Sequence, residues 1–172
     1  FNITYFDILV EDPIMGSNTT SFQDNVPGAE NKSKGIELGT NWTDKKKLNI
    51  GFNYTLTKSY SGMDCNKPEK DKYGYTSCLD TGHGWLESAM VRVPIHALSS
   101  KISYQFKKNW DNSLLMTYKG RTRDYGGTDY SFKDQILDEY FLVDLKSSYK
   151  LYDNYNLDFS VKNLFDKNYE NS

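Results

Sequence analysis

Apolar and polar residues alternate along most of this chain. The clearest run places Leu48, Ile50, Phe52, Tyr54 and Leu56 on one face, with Asn49, Gly51, Asn53, Thr55 and Thr57 between them. A period of two puts successive side chains on opposite sides of an extended backbone, so each such run predicts a half-covered β-strand. The same alternation marks Ile36-Leu38-Thr40-Trp42, Leu98 through Phe106, Leu114-Met116-Tyr118, Phe141 through Leu151, and Leu157-Phe159-Val161. Phe1 to Val10 is strand-like but more uniformly apolar. Helical periodicity is nearly absent, and the expectation is an all-β, antiparallel chain of about seven strands.

The connections sort by length. Short ones surround Thr43–Lys46, Lys108–Asn112 and Tyr152–Tyr155, and long ones span about Glu11–Ser33, Ser59–Ala89 and Thr122–Glu139. The two kinds alternate, so all short turns fall at one end of the sheet and all long loops at the other. A β-sandwich has no reason to sort its loops this way. A transmembrane β-barrel does, with short periplasmic turns and long extracellular loops.

Composition sharpens this picture. Hydrophobic residues make up 37% of the chain but aromatics 15%, including 14 Tyr. Many aromatics on little apolar material suit sheets with one wet face. No run approaches the roughly 18 apolar residues of a spanning helix. The mean hydropathy of −0.73 still leaves room for a membrane barrel, whose strands are apolar only at alternate positions. A net charge of −2 offers no broad attraction to nucleic acid. The chain opens on Phe1 and stops just past a strand, which leads to the expectation of a piece of a longer protein. Seven strands would leave open edges and an uncovered apolar face.

Several segments, in order, resemble the C-terminal part of the TonB-dependent outer-membrane receptors. They are Gly35-Ile36-Glu37, Asn53-Tyr54-Thr55, Arg92-Val93-Pro94-Ile95-His96, Tyr118-Lys119-Gly120-Arg121, Tyr140 to Leu145, and Asn163-Leu164-Phe165-Asp166 through Tyr169. The resemblance implies a fragment, residues 1–172, of a barrel of about 22 strands. It implies a plug domain, a TonB box and a last strand outside this chain. It also implies a Gram-negative outer-membrane location, lipid and the TonB complex as partners, and a small-molecule nutrient as ligand. Cobalamin is the favoured nutrient, because strand lengths and the compact Arg-x-Pro to Asn-Leu-Phe-Asp interval are most similar to vitamin B12 receptors. Iron-siderophore or haem comes next. A passive porin-type channel and a secreted β-sandwich binding module are the alternatives.

Most of these motifs read as architecture. Pro94 lies near a strand start, where a missing N–H is tolerated. Asn163 and Asp166 are placed to satisfy backbone groups where strand meets loop. Phe165, Tyr169, Tyr140 and Tyr118 are candidates for an aromatic girdle. His96 is expected on a strand, and Lys45-Lys46-Lys47 in a solvated turn.

Candidate chemistry concentrates in two long loops. Cys65 and Cys78 share one of them, and in an exported loop a disulfide is the natural reading. It would stabilise by roughly 3 kcal/mol in the chain-entropy model. Adding His83 does not make a zinc signature. The same loop holds Tyr73, Tyr75 and Trp85; the next holds Arg121, Arg123, Tyr125 and Tyr130. Aromatics on tethered loops clasp planar ligands, and Arg bonds their carboxylates or amides. Acidic loop residues are candidate Ca²⁺ ligands, but no EF-hand spacing supports a site, and no metal or other cofactor is assigned. No triad or phosphate loop is assembled, so no catalysis is expected.

Overall fold

A computed structural model describes residues 1–16, 23–25, 29–44, 47–64, 85–90, 92–126, 133–152 and 154–170, with only the backbone described at 15, 16, 23–25, 63, 64, 85–89, 125, 126, 133 and 134. All regular structure among them is β. The strands are β1 (Asn2–Glu11), β2 (Ile14–Gly16), β3 (Gln23–Asn25), β4 (Ala29–Thr43), β5 (Leu48–Asp64) and β6 (Trp85–Ala89). They continue as β7 (His96–Lys107), β8 (Trp110–Lys119), β9 (Thr122–Gly126), β10 (Lys133–Leu137), β11 (Tyr140–Tyr152) and β12 (Tyr155–Val161).

One sheet runs in the order β1-β4-β5-β7-β8-β11-β12, with β6 also paired to β5. The seven strands of that path are the seven expected from alternation. The sheet does not close, because β1 and β12 end the path rather than pairing with each other. Two small hairpins, β2–β3 and β9–β10, stand apart from it. They occupy stretches expected to be loop. The long strands also start earlier and stop later than expected: Gly35 lies six residues inside β4, and β5 runs to Asp64. Residues 29–34, Ala-Glu-Asn-Lys-Ser-Lys, carry no apolar alternation, so only pairing with neighbours reveals them as strand.

The chain forms two compact units, one of Phe1–Tyr5, Ile36–Thr57 and Val91–Ser172, the other of Phe6–Gly35 and Lys58–Met90. In the first, register decides which residues share a face. Ile50, Ile102, Leu114, Leu145 and Val161 stand opposite one another across five strands. One position along, Asn49, Ser103, Ser113, Lys146 and Ser160 form the adjacent row. Directly paired residues point to the same side, so these rows lie on opposite faces, one apolar and one polar. The Leu48-to-Leu56 face expected from the sequence is this apolar face.

In the second unit, Asp12 N–H donates to the Ala29 carbonyl at 3.0 Å, beside the buried Pro13 and Ala29. β6 lies along the far part of β5, from Tyr60 opposite Ala89 to Asp64 opposite Trp85. The Ser33 and Ser59 hydroxyls share a hydrogen bond of 2.7 Å.

The short turns are built by side chains that close backbone gaps. Asp44 Oδ1 accepts from Lys47 N–H at 2.7 Å and from Leu48 N–H at 3.0 Å, while Asp44 N–H donates to the Leu48 carbonyl. The Leu48 and Lys47 N–H groups hold the Asp44 carboxyl below the ordinary carboxylate range. A depressed folded-state pKa stabilises the turn above the unfolded value, about 3.9, and that contribution is lost as pH falls through the folded value. Asp44→Ala is therefore expected to speed amide exchange at Lys47 and Leu48 at neutral pH, and to change it little once the pH is below the depressed value. Of the Lys45-Lys46-Lys47 turn, only Lys47 is among the described residues. Asn109, in the second turn, donates from Nδ2 to the Lys150 carbonyl and accepts the Lys150 N–H at its own carbonyl, at 3.2 and 2.8 Å.

No described large side chain is fully buried. Tyr155, Leu157 and Phe159 are all more than half exposed, as are Ile3, Tyr5 and Phe106. The apolar face is thus left without a protein layer over it among the described residues.

Candidate functional site

The Asn-Leu-Phe-Asp segment follows β12 and closes onto β11. Val161 pairs with Leu145, and Leu164 N–H then donates to the Val143 carbonyl at 2.8 Å. One residue too many separates these bonds, and Asn163 absorbs it with φ of 50°. Asparagine tolerates this left-handed region better than most residues. Its main-chain N–H donates to Asp144 Oδ1 at 2.8 Å; its side chain bonds Lys167 twice, accepting from N–H at 2.9 Å and donating to the carbonyl at 3.0 Å. Asp166 takes the same φ of 50°, its N–H donating to the Asn163 carbonyl. Of the two residues expected to serve backbone groups here, Asn163 bonds the N–H and carbonyl of Lys167 through its side chain, while Asp166 contributes its main-chain N–H. Asp144, its partner, lies in the Tyr140-to-Leu145 segment singled out in the sequence, but its bond to Asn163 was not foreseen.

Beyond this turn, Tyr169 packs on Tyr140 with ring centroids 4.8 Å apart. Tyr140 is buried and stands opposite Lys119, on the polar face. Tyr118 stands opposite Phe141 and Leu98, on the apolar face, and its hydroxyl donates to Glu139 at 2.8 Å. The two tyrosines proposed for one girdle therefore face opposite ways, because they occupy positions of opposite parity. Leu164 and Phe165 are both exposed. A polar hollow of about 510 Å³ lies here, lined by Gln135, Glu139, Tyr140, Lys167 and Tyr169 among others.

His96 begins β7 as expected. Its Nδ1 is 2.8 Å from the Tyr54 hydroxyl, and the two rings stack with centroids 6.1 Å apart. The Gly120 N–H donates to the His96 carbonyl at 2.8 Å, and a Cβ at Gly120 would come within 3.1 Å of that oxygen. A glycine is what lets β8 end this close to β7.

At the opposite end of the apolar face lies an aromatic cluster that sequence reasoning did not single out. Tyr104 meets Phe106 edge-on at 4.9 Å, Phe106 meets Trp110 at 5.4 Å, and Trp110 meets Tyr149 at 6.3 Å. Trp110 Nε1–H donates to Ser147 Oγ. On the polar face, a concavity of about 680 Å³ runs past Asn41, Asn53, Ser99, Lys101 and Ser103.

The expected loop ligand contacts are only partly within the described residues. Tyr73, Tyr75, Tyr130, Cys65, Cys78 and His83 lie outside them. Trp85 starts β6, opposite Asp64, and Tyr125 lies on β9, opposite Asp134. Arg121 is exposed between β8 and β9, 3.9 Å from Asp138. Arg123 lies on β9, opposite Ile136. Gly35 and Glu37 are interior to β4, while Arg92 and Pro94 precede β7. Among the described residues, no group of three or more His, Cys, Asp or Glu side chains is arranged to hold a metal ion.

Residues 1–164 match the family described as TonB dependent receptor-like, beta-barrel. The chain belongs to that family. TonB-dependent receptors are transport receptors rather than enzymes. Solved structures with the same fold include the ferric-catecholate import receptor Fiu of Escherichia coli K12, at 18% identity and a TM-score of 0.63, covering 97% of this chain and 21% of that one. The ferripyoverdine receptor of the outer membrane of Pseudomonas aeruginosa gives 19%, 0.62, 97% and 21%. The siderophore receptor PirA of Acinetobacter baumannii gives 19%, 0.61, 96% and 25%. At such identities the likeness establishes the fold, and the chain spans a quarter or less of each receptor's length. No curated protein matches the sequence significantly.

Proposed function

We propose that this chain is part of the barrel of an outer-membrane receptor that binds a scarce metal chelate and imports it with TonB-delivered energy. The family match over residues 1–164 carries the reading. The chain supplies seven consecutive strands near the barrel's C-terminal end, with the plug and the last strand contributed from outside it. The apolar face meets lipid and the polar face lines the lumen. The two aromatic groups on the apolar face support this. Trp110 and Tyr118 lie eight residues apart on β8, about 26 Å along a strand. Tilted strands reduce that to about 20 Å along the membrane normal, close to the roughly 25 Å apolar band between aromatic girdles.

Ferric siderophore is the ligand class we place first. Support comes from the names of the similar structures, which are ferric-catecholate, ferripyoverdine and siderophore receptors. The cobalamin preference rests on sequence resemblance alone. Uptake of radiolabelled ferric enterobactin, ferripyoverdine and cobalamin by cells carrying the full-length receptor decides among them. Uptake of one ferric complex, abolished when the proton-motive force is collapsed, is expected. Energy-independent uptake would instead mark a passive channel, and energised uptake of cobalamin alone would restore the order drawn from the sequence.

We also propose a Cys65–Cys78 disulfide in the second long loop. Alkylation of the unreduced, denatured receptor is expected to leave both thiols unlabelled; labelling of both sinks the bridge.

A further inference from the structure

At the short-turn end of the sheet, lysines and aromatic rings meet on one face, and the register between β7 and β8 shows how. Gln105 pairs with Asp111, but Lys107 pairs with Trp110, so Phe106 is an extra residue taken up in a β-bulge. Without it, Lys107 would follow Ser103 and Gln105 onto the polar face. With it, Lys107 stands directly opposite Trp110, whose ring meets Phe106 and Tyr149 on the apolar face. Directly paired residues point to the same side, so the bulge brings an ammonium group to the apolar face beside the exposed Phe106.

A second ammonium group reaches the same place from the preceding turn. Lys47 Nζ donates to the Phe106 carbonyl at 3.4 Å, at the bulge itself. Lys47, Lys107 and the turn residue Lys108 are all exposed. The acidic side chains of this end are engaged elsewhere. Asp44 Oδ1 accepts from the N–H groups of its own turn, while Asp111 and Asp158 stand in one row with Gln105 and Ser148 on the polar face. Among the described residues, no carboxylate forms an ion pair with any of the three lysines. The positive charge at this rim is therefore left for an outside anion. Lysine stems lie along apolar surface while their ammonium groups stay in the headgroup layer, and lysines near a bilayer surface attract anionic lipid.

We propose that the bulged β7–β8 turn, with Lys47 beside it, is a binding site for an anionic phospholipid: Lys47, Lys107 and Lys108 take the phosphodiester, and Phe106 and Trp110 take the adjoining chain. This rests on the lipid-facing assignment of the apolar face made above. The full-length receptor in liposomes provides the test, with a fluorescent amino acid in place of Leu157, which is exposed and stands opposite Tyr149 on the apolar face. Quenching by brominated phosphatidylglycerol is compared with quenching by brominated phosphatidylcholine of the same chains. A preference of about fivefold for phosphatidylglycerol is expected. It should fall to near parity in the combined Lys47→Gln, Lys107→Gln and Lys108→Gln variant, and persist when the same three positions are changed to Arg. Lys162→Gln, just past the other end of β12, should leave it unchanged. Equal quenching of the wild type by both lipids overturns the site and leaves the lipid face standing. A preference that survives the three glutamines, or falls as much in Lys162→Gln, overturns the assignment to these lysines. Exposed pairings are screened by salt, so a wild-type preference unmoved by high salt overturns the site whether or not the variants fold. Absence of quenching by either lipid overturns the lipid-facing assignment, and the site with it.

Discussion

Arginine in place of Leu114 is expected to destabilise the full-length receptor in a bilayer by about 2–4 kcal/mol. Ser103→Arg, on the neighbouring strand, is expected to change stability by about 0.5 kcal/mol or less. Leu114 stands between Ile102 and Leu145 in the apolar row, whereas Ser103 stands between Asn49 and Ser113 in the polar one. A guanidinium in the first row must leave water for hydrocarbon near the bilayer midplane. In the second it meets a wet, polar wall. Folding into liposomes across a urea series, scored by the mobility of folded and unfolded bands, measures both. A larger loss for Ser103→Arg than for Leu114→Arg would invert the assignment of lipid and lumen faces.

Asn163→Val is expected to destabilise the turn after β12 by about 3–4 kcal/mol. A β-branched residue at φ of 50° contributes roughly 1–2 kcal/mol of that, and the two lost bonds to Lys167 about 1 kcal/mol each. Asn163→Gly separates the terms. Glycine accepts the backbone conformation, so only the hydrogen-bond part should remain. Amide exchange at Leu164 and Lys167 in the full-length receptor reads the local opening free energy. Equal losses for Val and Gly would show that the left-handed backbone contributes nothing.

These two sites differ in how far the sequence announced them. The row through Leu114 was legible because period-two alternation needs no tertiary information: a strand with apolar residues at every second position has only one sensible face to cover. The seven main strands and the turns between them followed for the same reason. The Asn163 turn was legible in part. Its residue types signalled a strand end, and Asp144 stands in the Tyr140-to-Leu145 segment already singled out, but nothing local says that this carboxylate, nineteen residues upstream, anchors the turn. The hydrogen bond from Arg92 Nε–H to Asp124 Oδ1, at 2.9 Å, is equally remote in sequence, at a separation of 32 residues.

Where the sequence misled, the cause was missing periodicity or parity. Residues 29–34 carry no apolar alternation, and the β9–β10 hairpin has Ile136 and Leu137 side by side rather than alternating, so both stretches read as loop; their strand character comes from backbone bonds to neighbours, which composition does not encode. Tyr118 and Tyr140 looked alike as girdle residues, but register puts Tyr118 opposite Phe141 and Tyr140 opposite Lys119. A one-residue difference in parity sends a side chain to the other face.

By itself, then, the amino-acid sequence determined the all-β class, the seven main strands, the two-faced sheet and the sorting of short turns from long loops. Each is a property of nearest neighbours along the chain. Only the tertiary structure decided which residues share a row, where polar strands begin, and which distant side chains meet at Asn163 and at Asp124. Those depend on strand register, and register is set between strands rather than within them.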